Sequence, residues 1–124
     1  MIKSKLEKTI IKEEYSHFEY ILYLNHIIIG EYELTIEDDL LIFAIFKIRK
    51  EFRKKGYGKY GLIEVDKSIQ FLKEDYNFKY IEVDINSFDN GHLNDKELSE
   101  FYVKYFNVSP YFIDAEKILM RKEA

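Results

Sequence analysis

The stretch Lys47–Gly61, KIRKEFRKKGYGKYG, combines glycines and basic side chains in a pattern that suits phosphate binding. It holds three of the five glycines of the chain. An apolar run, Leu40–Phe46, precedes it and an amphipathic pattern, Leu62–Tyr76, follows it, which predicts a strand, a glycine turn and a helix. The first N–H groups of a helix have no partner within the helix, and glycines leave them accessible. The sequence therefore predicts an anion site at this turn.

The charge of the chain is unevenly distributed. Residues 47–59 contain seven Lys or Arg and one Glu, so they carry +6 and leave -10 for the rest of a chain whose net charge is -4. A duplex-binding protein spreads basic charge over a long face, because its affinity comes from neutralising many phosphates. A compact basic patch on an acidic body instead favours a small polyanion, although a solvated surface loop would have the same charge. Nucleic acid is not an expected partner.

Composition excludes several kinds of chemistry. The chain has 124 residues and no cysteine, so disulfides, thiolate metal sites and a Cys nucleophile are absent. No apolar run approaches the roughly 18 residues that span a bilayer, and the start, MIKSKLEK, lacks the apolar stretch of a signal peptide. We expect a single domain over residues 1–124, in the cytoplasm, with no membrane partner.

The first half of the chain predicts an antiparallel meander. Residues 5–14 are weakly extended, and Phe18–Leu24 has strand composition. Asn25 and His26 suit a two-residue turn, and Ile27–Ile36 would be the returning strand. A turn at Glu37, Asp38 and Asp39 then leads into Leu40–Ile48, an apolar strand of the type that is buried on both faces.

The second half predicts a crossover and a second helix. A helical stripe runs from Leu62 to Tyr76, and Lys79–Asn86 alternates as a strand that would lie parallel to Leu40–Ile48. Residues 87–95 are a polar loop. Asn94 and Glu97 fit a capping box. The apolar stripe of the second helix consists of Leu98, Phe101, Tyr102, Tyr105 and Phe106. Pro110 separates this helix from the last extended segments, Tyr111–Ile113 and Lys117–Arg121. The expected fold class is α+β, a mixed sheet with two helices.

Two known phosphate-binding motifs fit the glycine turn poorly. GYGKYG matches the dinucleotide fingerprint G-x-G-x-x-G, which requires the first glycine directly after the first strand of the fold. Here residues 48–55 intervene and several antiparallel strands come first. A P-loop requires Lys and Ser or Thr after its last glycine, where this chain has Leu62 and Ile63. A P-loop is therefore excluded.

The segment Arg53–Gly58, RKKGYG, resembles the acetyl-CoA motif of the GNAT superfamily of N-acetyltransferases, an Arg or Gln, two residues, Gly, one residue, then Gly or Ala. An apolar residue five positions before the Arg, Ile48, also fits. Lys50 stands where the family often has proline. The resemblance covers most of residues 40–121.

A second signature of the family is a short helix with an aliphatic-Tyr-x-Lys pattern, and here Phe101–Lys104 reads FYVK. The Gly-Phe that usually ends this helix is replaced by Phe106 and Asn107. ELSEFY and the terminal LMR resemble short phage-encoded members, among them acetyltransferase-type CRISPR inhibitors, which lack the N-terminal helices of the family.

The resemblance implies a fold and a cofactor site. Acetyl-CoA would lie in a wedge between the two strands that flank the glycine turn and its helix, and no metal would be needed. The pyrophosphate would bind the backbone N–H groups of the turn and its basic neighbours, and the pantetheine arm would run along the preceding strand. These cofactor residues would be Phe46, Ile48, Arg53, Lys54, Lys55, Gly56, Tyr57 and Gly58.

The resemblance also implies that an amine attacks the thioester directly and that Tyr102 acts as the acid for the leaving thiolate. Its place in an apolar helical stripe is equally typical of a core residue. The base is open: Glu82 and Asp84 share a face of the strand beside the wedge, and Glu33 lies on an earlier strand. His17, His26 and His92 fit surface or turn positions better than metal ligands.

The expected function is transfer of an acetyl group from acetyl-CoA to an amine. The N-terminal region leaves no room for the two helices that wall the acceptor site in full-length relatives, which favours a protein lysine or N-terminus, or a wall supplied by a homodimer. The alternative is an inactive module of the same fold that binds CoA or only a protein, since 11 Tyr and 10 Phe exceed what a small core needs.

Overall fold

The computed structural model describes residues 1–85, 93–113 and 118–124. Seven strands form one sheet in the order β1-β2-β3-β4-β5-β7-β6. The strands are β1 (Ile2–Ile11), β2 (Ser16–Leu24), β3 (Ile27–Glu37), β4 (Leu40–Ile48), β5 (Tyr80–Ile85), β6 (Ser109–Ile113) and β7 (Ile118–Glu123). The helices are α1 (Tyr57–Leu72) and α2 (Asp95–Phe106), with a short 3-10 helix at Lys50–Phe52. The predicted α+β class is confirmed.

The N-terminal meander agrees with the prediction from the sequence. β1 to β4 pair antiparallel in chain order. Asn25 has a left-handed φ of 57° in the two-residue turn between β2 and β3, and Asp38 has a φ of 54° in the turn before β4. Asn and Asp tolerate this region better than other residues with a side chain. β1 begins at Ile2, earlier than the weak extended signal predicted.

The parallel pairing of β4 with β5 is short. It runs from Leu40 opposite Tyr80 to Phe43 opposite Val83, after which the two strands have no register partners in each other. The β3–β4 register shifts in the same region, between Glu31 and Glu33, and Ile45 has a φ of 53°. A bulge of this kind bends the strand that carries it. β4 therefore separates from β5 beyond Phe43 and leaves a wedge.

Both helices pack on one face of the sheet. A Cβ on Gly61 of α1 would lie 2.9 Å from Phe46 Cζ, so this helix approaches β4 closely. From α2, Tyr102 and Phe106 pack their rings against Phe43, with centroids 6.0 and 5.3 Å apart. Phe46 thus lies under both helices and Phe43 under α2, and both rings belong to the core.

The helix ends differ from prediction in two places. α1 ends at Leu72, and Tyr76 lies beyond it, although its ring still packs edge-on against Phe18 at 5.8 Å. Asn107 follows α2 with a left-handed φ of 59°, a conformation in which asparagine can end a helix as glycine does. The predicted capping box is confirmed, because Asn94 Oδ1 accepts from Glu97 N–H at 2.9 Å and Asn94 N–H donates to Glu97 Oε1 at 3.2 Å.

The C-terminal strands also differ in detail. Pro110 lies inside β6 rather than before it. This strand is at the edge of the sheet, where proline is tolerated because no N–H is required on the outer side. Residues 87–92 of the predicted loop at 87–95 lie outside the described residues, as do Asn86 and Lys117.

The opposite face of the sheet carries polar side chains. They alternate with the buried residues of the central strands and include His17, Glu19, Glu33, Thr35 and Glu82. Within the described ranges, α1 and α2 both lie on the other face, so neither covers these side chains. The same ranges contain no helix long and apolar enough to cross a membrane.

Replacing Asn94 with alanine should remove the side-chain half of the capping box, because the N–H of Glu97 loses its acceptor while the backbone N–H at position 94 is kept. We expect the free energy of unfolding to fall by about 1 kcal/mol, the usual loss for an N-cap. Urea denaturation monitored by circular dichroism measures it. Lys96→Ala, in the same helical turn, is the control and should change stability little; an equal loss in both variants would show that the cap contributes nothing specific.

Candidate acyl-CoA site

The glycine turn leaves the start of α1 open. Gly56 is the N-cap with a φ of 79°, no side chain caps the helix, and its first turn contains no acidic residue. A Cβ placed on Gly56 would meet no atom within 4 Å. The first N–H groups of α1 therefore have no side-chain cap, and the helix dipole places partial positive charge there. This is the local geometry of an anion site.

Arg53 fixes the turn to the end of β4. Its Nε donates to the carbonyl oxygen of Ile48 at 2.8 Å. Lys54, the next residue, has a left-handed φ of 62°. Such a conformation is unfavourable for a residue with a side chain and persists only where the surroundings impose it. The basic residues are thus held in a defined turn.

A cavity of about 330 Å³ lies between this turn, the end of β4 and α2. Its lining includes most of the predicted cofactor residues: Phe46, Ile48, Arg53, Lys54, Gly56, Tyr57 and Gly58. Lys55 is not among the lining residues. The other lining residues are Phe52, Lys59, Leu93, Phe101 and Tyr105. The sequence did not single these out as site residues.

Phe101 and Tyr105 line the cavity, but the sequence did not predict them as site residues. They lie four residues apart on α2, and helical periodicity alone assigned both to the core stripe. Their ring centroids are 5.2 Å apart, and Tyr105 is 39% exposed. A Cβ on Gly58 would lie 3.1 Å from Phe101 Cζ, so glycine at this position permits the close approach of the turn to α2. The two aromatic rings form the wall of the cavity opposite the turn.

Tyr102 is placed behind this wall. It is 3% exposed, and its ring packs against Phe43, Phe46 and Phe101 at centroid distances of 6.0, 6.5 and 5.6 Å. Phe46 and Phe101 line the cavity, and Tyr102 does not. The burial agrees with its place in the helical stripe, and its role as an acid stays a prediction.

The two carboxylates proposed from β5 have different surroundings. Glu82 Oε1 accepts from Arg121 Nη2 at 2.9 Å. The hydrogen bond to Glu82 raises the pKa of Arg121, whose guanidinium also lies 3.8 Å from the centroid of the Tyr111 ring. Asp84 is exposed at the end of the strand. Neither carboxylate lines the cavity, and Glu82 is held by a cation.

A cluster of polar side chains from β2 and β3 lies on the uncovered face of the sheet. His17 Nε2 is 3.1 Å from Glu19 Oε2, and His17 Nδ1 is 2.8 Å from Thr35 Oγ1. Glu33 pairs in register with Glu19, and single ligand atoms of His17, Glu19 and Glu33 all lie within 4.8 Å of one another. The sequence did not predict this acidic cluster. His17 lies within β2, whereas His26 is in the expected turn and His92 lies outside the described residues.

Burial raises the pKa of the Glu33 carboxyl group, the negative charges of Glu19 and Glu31 raise it further, and His17 opposes the change. The carboxylate at this position is therefore less stable than one in water. It lies one strand away from the β4–β5 wedge, because Glu33 pairs with Ala44.

Comparison with solved structures places this architecture in a known fold. An acetyltransferase from Bacillus cereus matches 91% of this chain and 76% of its own, with a TM-score of 0.64 and 18% identity. The PaiA N-acetyltransferase from Thermoplasma acidophilum, in complex with coenzyme A, matches with a TM-score of 0.61 and 16% identity. This chain has the fold of these acetyltransferases, as its resemblance to the GNAT superfamily predicted.

The alignment with the Thermoplasma acidophilum protein covers 87% of this chain but spans only 61% of the other. A mutant of the toxin AtaT, bound to the C-terminus of the antitoxin AtaR, also matches, with a TM-score of 0.59, 14% identity, and coverage of 86% of this chain and 66% of that one. No protein-family model and no curated protein matches the sequence. The likeness therefore rests on the fold.

Replacing Glu33 with glutamine should stabilise the fold at neutral pH. The pKa of Glu33 is higher in the folded protein than its ordinary value of 4.5, so protonation of Glu33 favours the folded state. This stabilisation is fully present below pH 4.5 and is lost as the pH rises through the pKa of Glu33 in the folded protein. Urea denaturation at pH 7 and pH 4 should show a gain for Glu33→Gln only at pH 7. Glu37→Gln, on the same strand and face, is the control; equal effects of both variants would contradict the prediction.

Proposed function

We propose that the protein is an N-acetyltransferase that transfers an acetyl group from acetyl-CoA directly to an amine. One observation carries the proposal: an uncapped, basic glycine turn opens into a cavity beside the point where β4 separates from β5. The GNAT fold of the chain supports this interpretation, since one neighbour with that fold was solved with coenzyme A.

In the proposed complex, the pyrophosphate accepts hydrogen bonds from the backbone N–H groups of residues 55–58. Arg53, Lys54 and Lys59 supply the compensating charge. The pantetheine arm lies along Phe46 and Ile48, where β4 has no partner from β5 and can pair with an extended ligand as with a strand. The half-buried ring of Phe101 and the exposed ring of Tyr105 cover the arm from α2.

The chemistry depends mainly on positioning the amine against the thioester and on handling protons. We propose Tyr102 as the acid that protonates the leaving thiolate. Because Tyr102 does not line the cavity, this role requires its hydroxyl to come within hydrogen-bond reach of the sulfur when acetyl-CoA is bound. Glu82 and Asp84 remain our candidates for the base from β5, with the Glu82–Arg121 ion pair opposing proton uptake by Glu82.

The acceptor would approach from the uncovered face of the sheet. That face is wide and carries polar side chains, which suits the side chain or N-terminus of a protein better than an enclosed small amine. The AtaT neighbour was solved with a bound protein segment, which supports protein binding by this fold. A module that has lost catalysis is the second candidate, favoured by the exposed apolar residues of β6, where Tyr111 and Ile113 are 59% and 65% exposed.

Acetyl-CoA should stabilise the protein against heat. A ligand that binds only the folded state adds about 2.7 kcal/mol at a hundredfold excess over its dissociation constant. Gly58→Glu should abolish the effect, because a carboxylate at the first turn of α1 repels the pyrophosphate and fills its place. Thermal unfolding with acetyl-CoA, and with NAD for comparison, measures both results.

The control for this experiment is Gln70→Glu, which makes the same charge change on an exposed position of α1. It should bind acetyl-CoA as the unmodified protein does. Absence of stabilisation in the unmodified, well-folded protein would reject the acetyl-CoA site and leave the interaction module as the better hypothesis.

Tyr102→Phe should lower turnover by about a hundredfold, the lower range for loss of an acid catalyst. The ring contacts with Phe43 and Phe46 are kept, so stabilisation by acetyl-CoA should not change. Release of CoA in the presence of an amine measures turnover. Tyr105→Phe, which removes a hydroxyl from the cavity wall itself, is the comparison; full activity of Tyr102→Phe would remove Tyr102 from the mechanism.

A further inference from the structure

The position of Glu33 connects the uncovered face to the wedge. Glu33 alternates with the buried residues Tyr32 and Leu34, so its side chain is on the face that the helices do not cover. Its partner in β4 is Ala44, the residue directly after Phe43, where pairing with β5 ends. A group that passes from the cavity through the wedge would therefore emerge beside Ala44, one strand away from Glu33.

The neighbours of Glu33 make this spot suitable for a cation. One side-chain oxygen of Glu33, one of Glu19 and one ring nitrogen of His17 all lie within 4.8 Å of one another. Two carboxylates and an imidazole can therefore contact a single charged group. The hydrogen bond between Thr35 Oγ1 and His17 Nδ1 fixes the orientation of the imidazole ring. From β4 the facing residues are Ile42 and Ala44, which carry no charge and leave the approach open.

Glu33 is also available, in contrast to Glu82. Among the ion pairs of the described residues, Glu82 is bound to Arg121 and Glu19 contacts His17, whereas Glu33 takes part in none. The groups that influence its titration are His17 and Glu19 from β2 and Glu31 from its own strand. Their combined effect and its burial raise its pKa, so Glu33 accepts a proton more readily than an exposed carboxylate does.

We propose that Glu33 is the base of the transfer and that, with Glu19 and His17, it binds the ammonium group of the acceptor on the uncovered face. This inference rests on the proposed acetyl transfer and names the acceptor class as a primary ammonium. It assigns the base to β3 instead of β5.

The transfer begins with the ammonium group of the acceptor next to the carboxylate of Glu33. The ammonium transfers one proton to the carboxylate of Glu33, and the resulting amine attacks the thioester carbon. The C–N bond forms and the C–S bond breaks as the tetrahedral intermediate collapses. The nitrogen loses its second proton, and the sulfur gains one proton to become the thiol. Glu33 then releases the first proton to water. The products are the amide, CoA thiol and one proton.

The test compares Glu33→Gln with Glu37→Gln in acetyl-CoA-dependent release of CoA thiol. The acceptors are n-butylammonium and a peptide with a free N-terminus and one lysine. Because the chain has no cysteine, a thiol reagent reports CoA alone. Glu33→Gln should lower kcat/KM by about a hundredfold or more and lose the rise of activity with pH that the ionisation of Glu33 produces. Glu37→Gln should retain both.

A second measurement does not depend on turnover. Carboxyl NMR of the CoA-bound protein should show Glu33 titrating above the ordinary range of glutamate, and n-butylammonium should shift its resonance. Acetyl-CoA stabilisation in all variants separates this proposal from the proposed function, since loss of that stabilisation would reject the cofactor site itself.

Three results would overturn the inference while leaving the cofactor site intact. The first is activity of Glu33→Gln within twofold of the unmodified protein. The second is absence of turnover together with no response of Glu33 to n-butylammonium. The third is turnover that a chelator removes and Zn²⁺ restores, which would make His17, Glu19 and Glu33 a metal site.

Discussion

The short parallel contact between β4 and β5 determines the rest of the site. The two strands pair from Leu40 to Phe43 and then separate, and the left-handed conformation of Ile45 marks the bend. A β-branched residue in this conformation is strained, so the fold must impose it. Continuous pairing would close the sheet and join the two strands along their length. The wedge thus depends on a local conformational cost that the large aromatic core, centred on Phe43 and Phe46, can offset.

Features encoded by neighbouring residues were predicted well from the sequence. The glycine turn, the capping box at Asn94 and the turn at Asn25 each depend on residues a few positions apart, and all three occur in the structure. Most of the proposed cofactor residues share one cavity for the same reason, since the turn and the end of β4 are contiguous in the chain.

Features that depend on strand register were not predicted. His17, Glu19 and Glu33 meet only because β2 and β3 pair as they do, and a shift by one residue would move Glu33 to the core face. Periodicity also could not separate Phe101 and Tyr105, which line the cavity, from Tyr102 and Phe106, which are buried. The position of β7 between β5 and β6 joins distant parts of the chain and has no local signal.

The unpaired edge of β4 has a consequence for how such a protein can diverge. In the proposed complex this edge contacts the ligand through its main chain, so the path of the backbone matters more than the identity of the side chains. Substitutions along β4 are then limited by packing under the two helices and hardly by the ligand. A lineage could replace most of its residues and keep the site, and the solved neighbours retain this fold at only 14 to 18% identity.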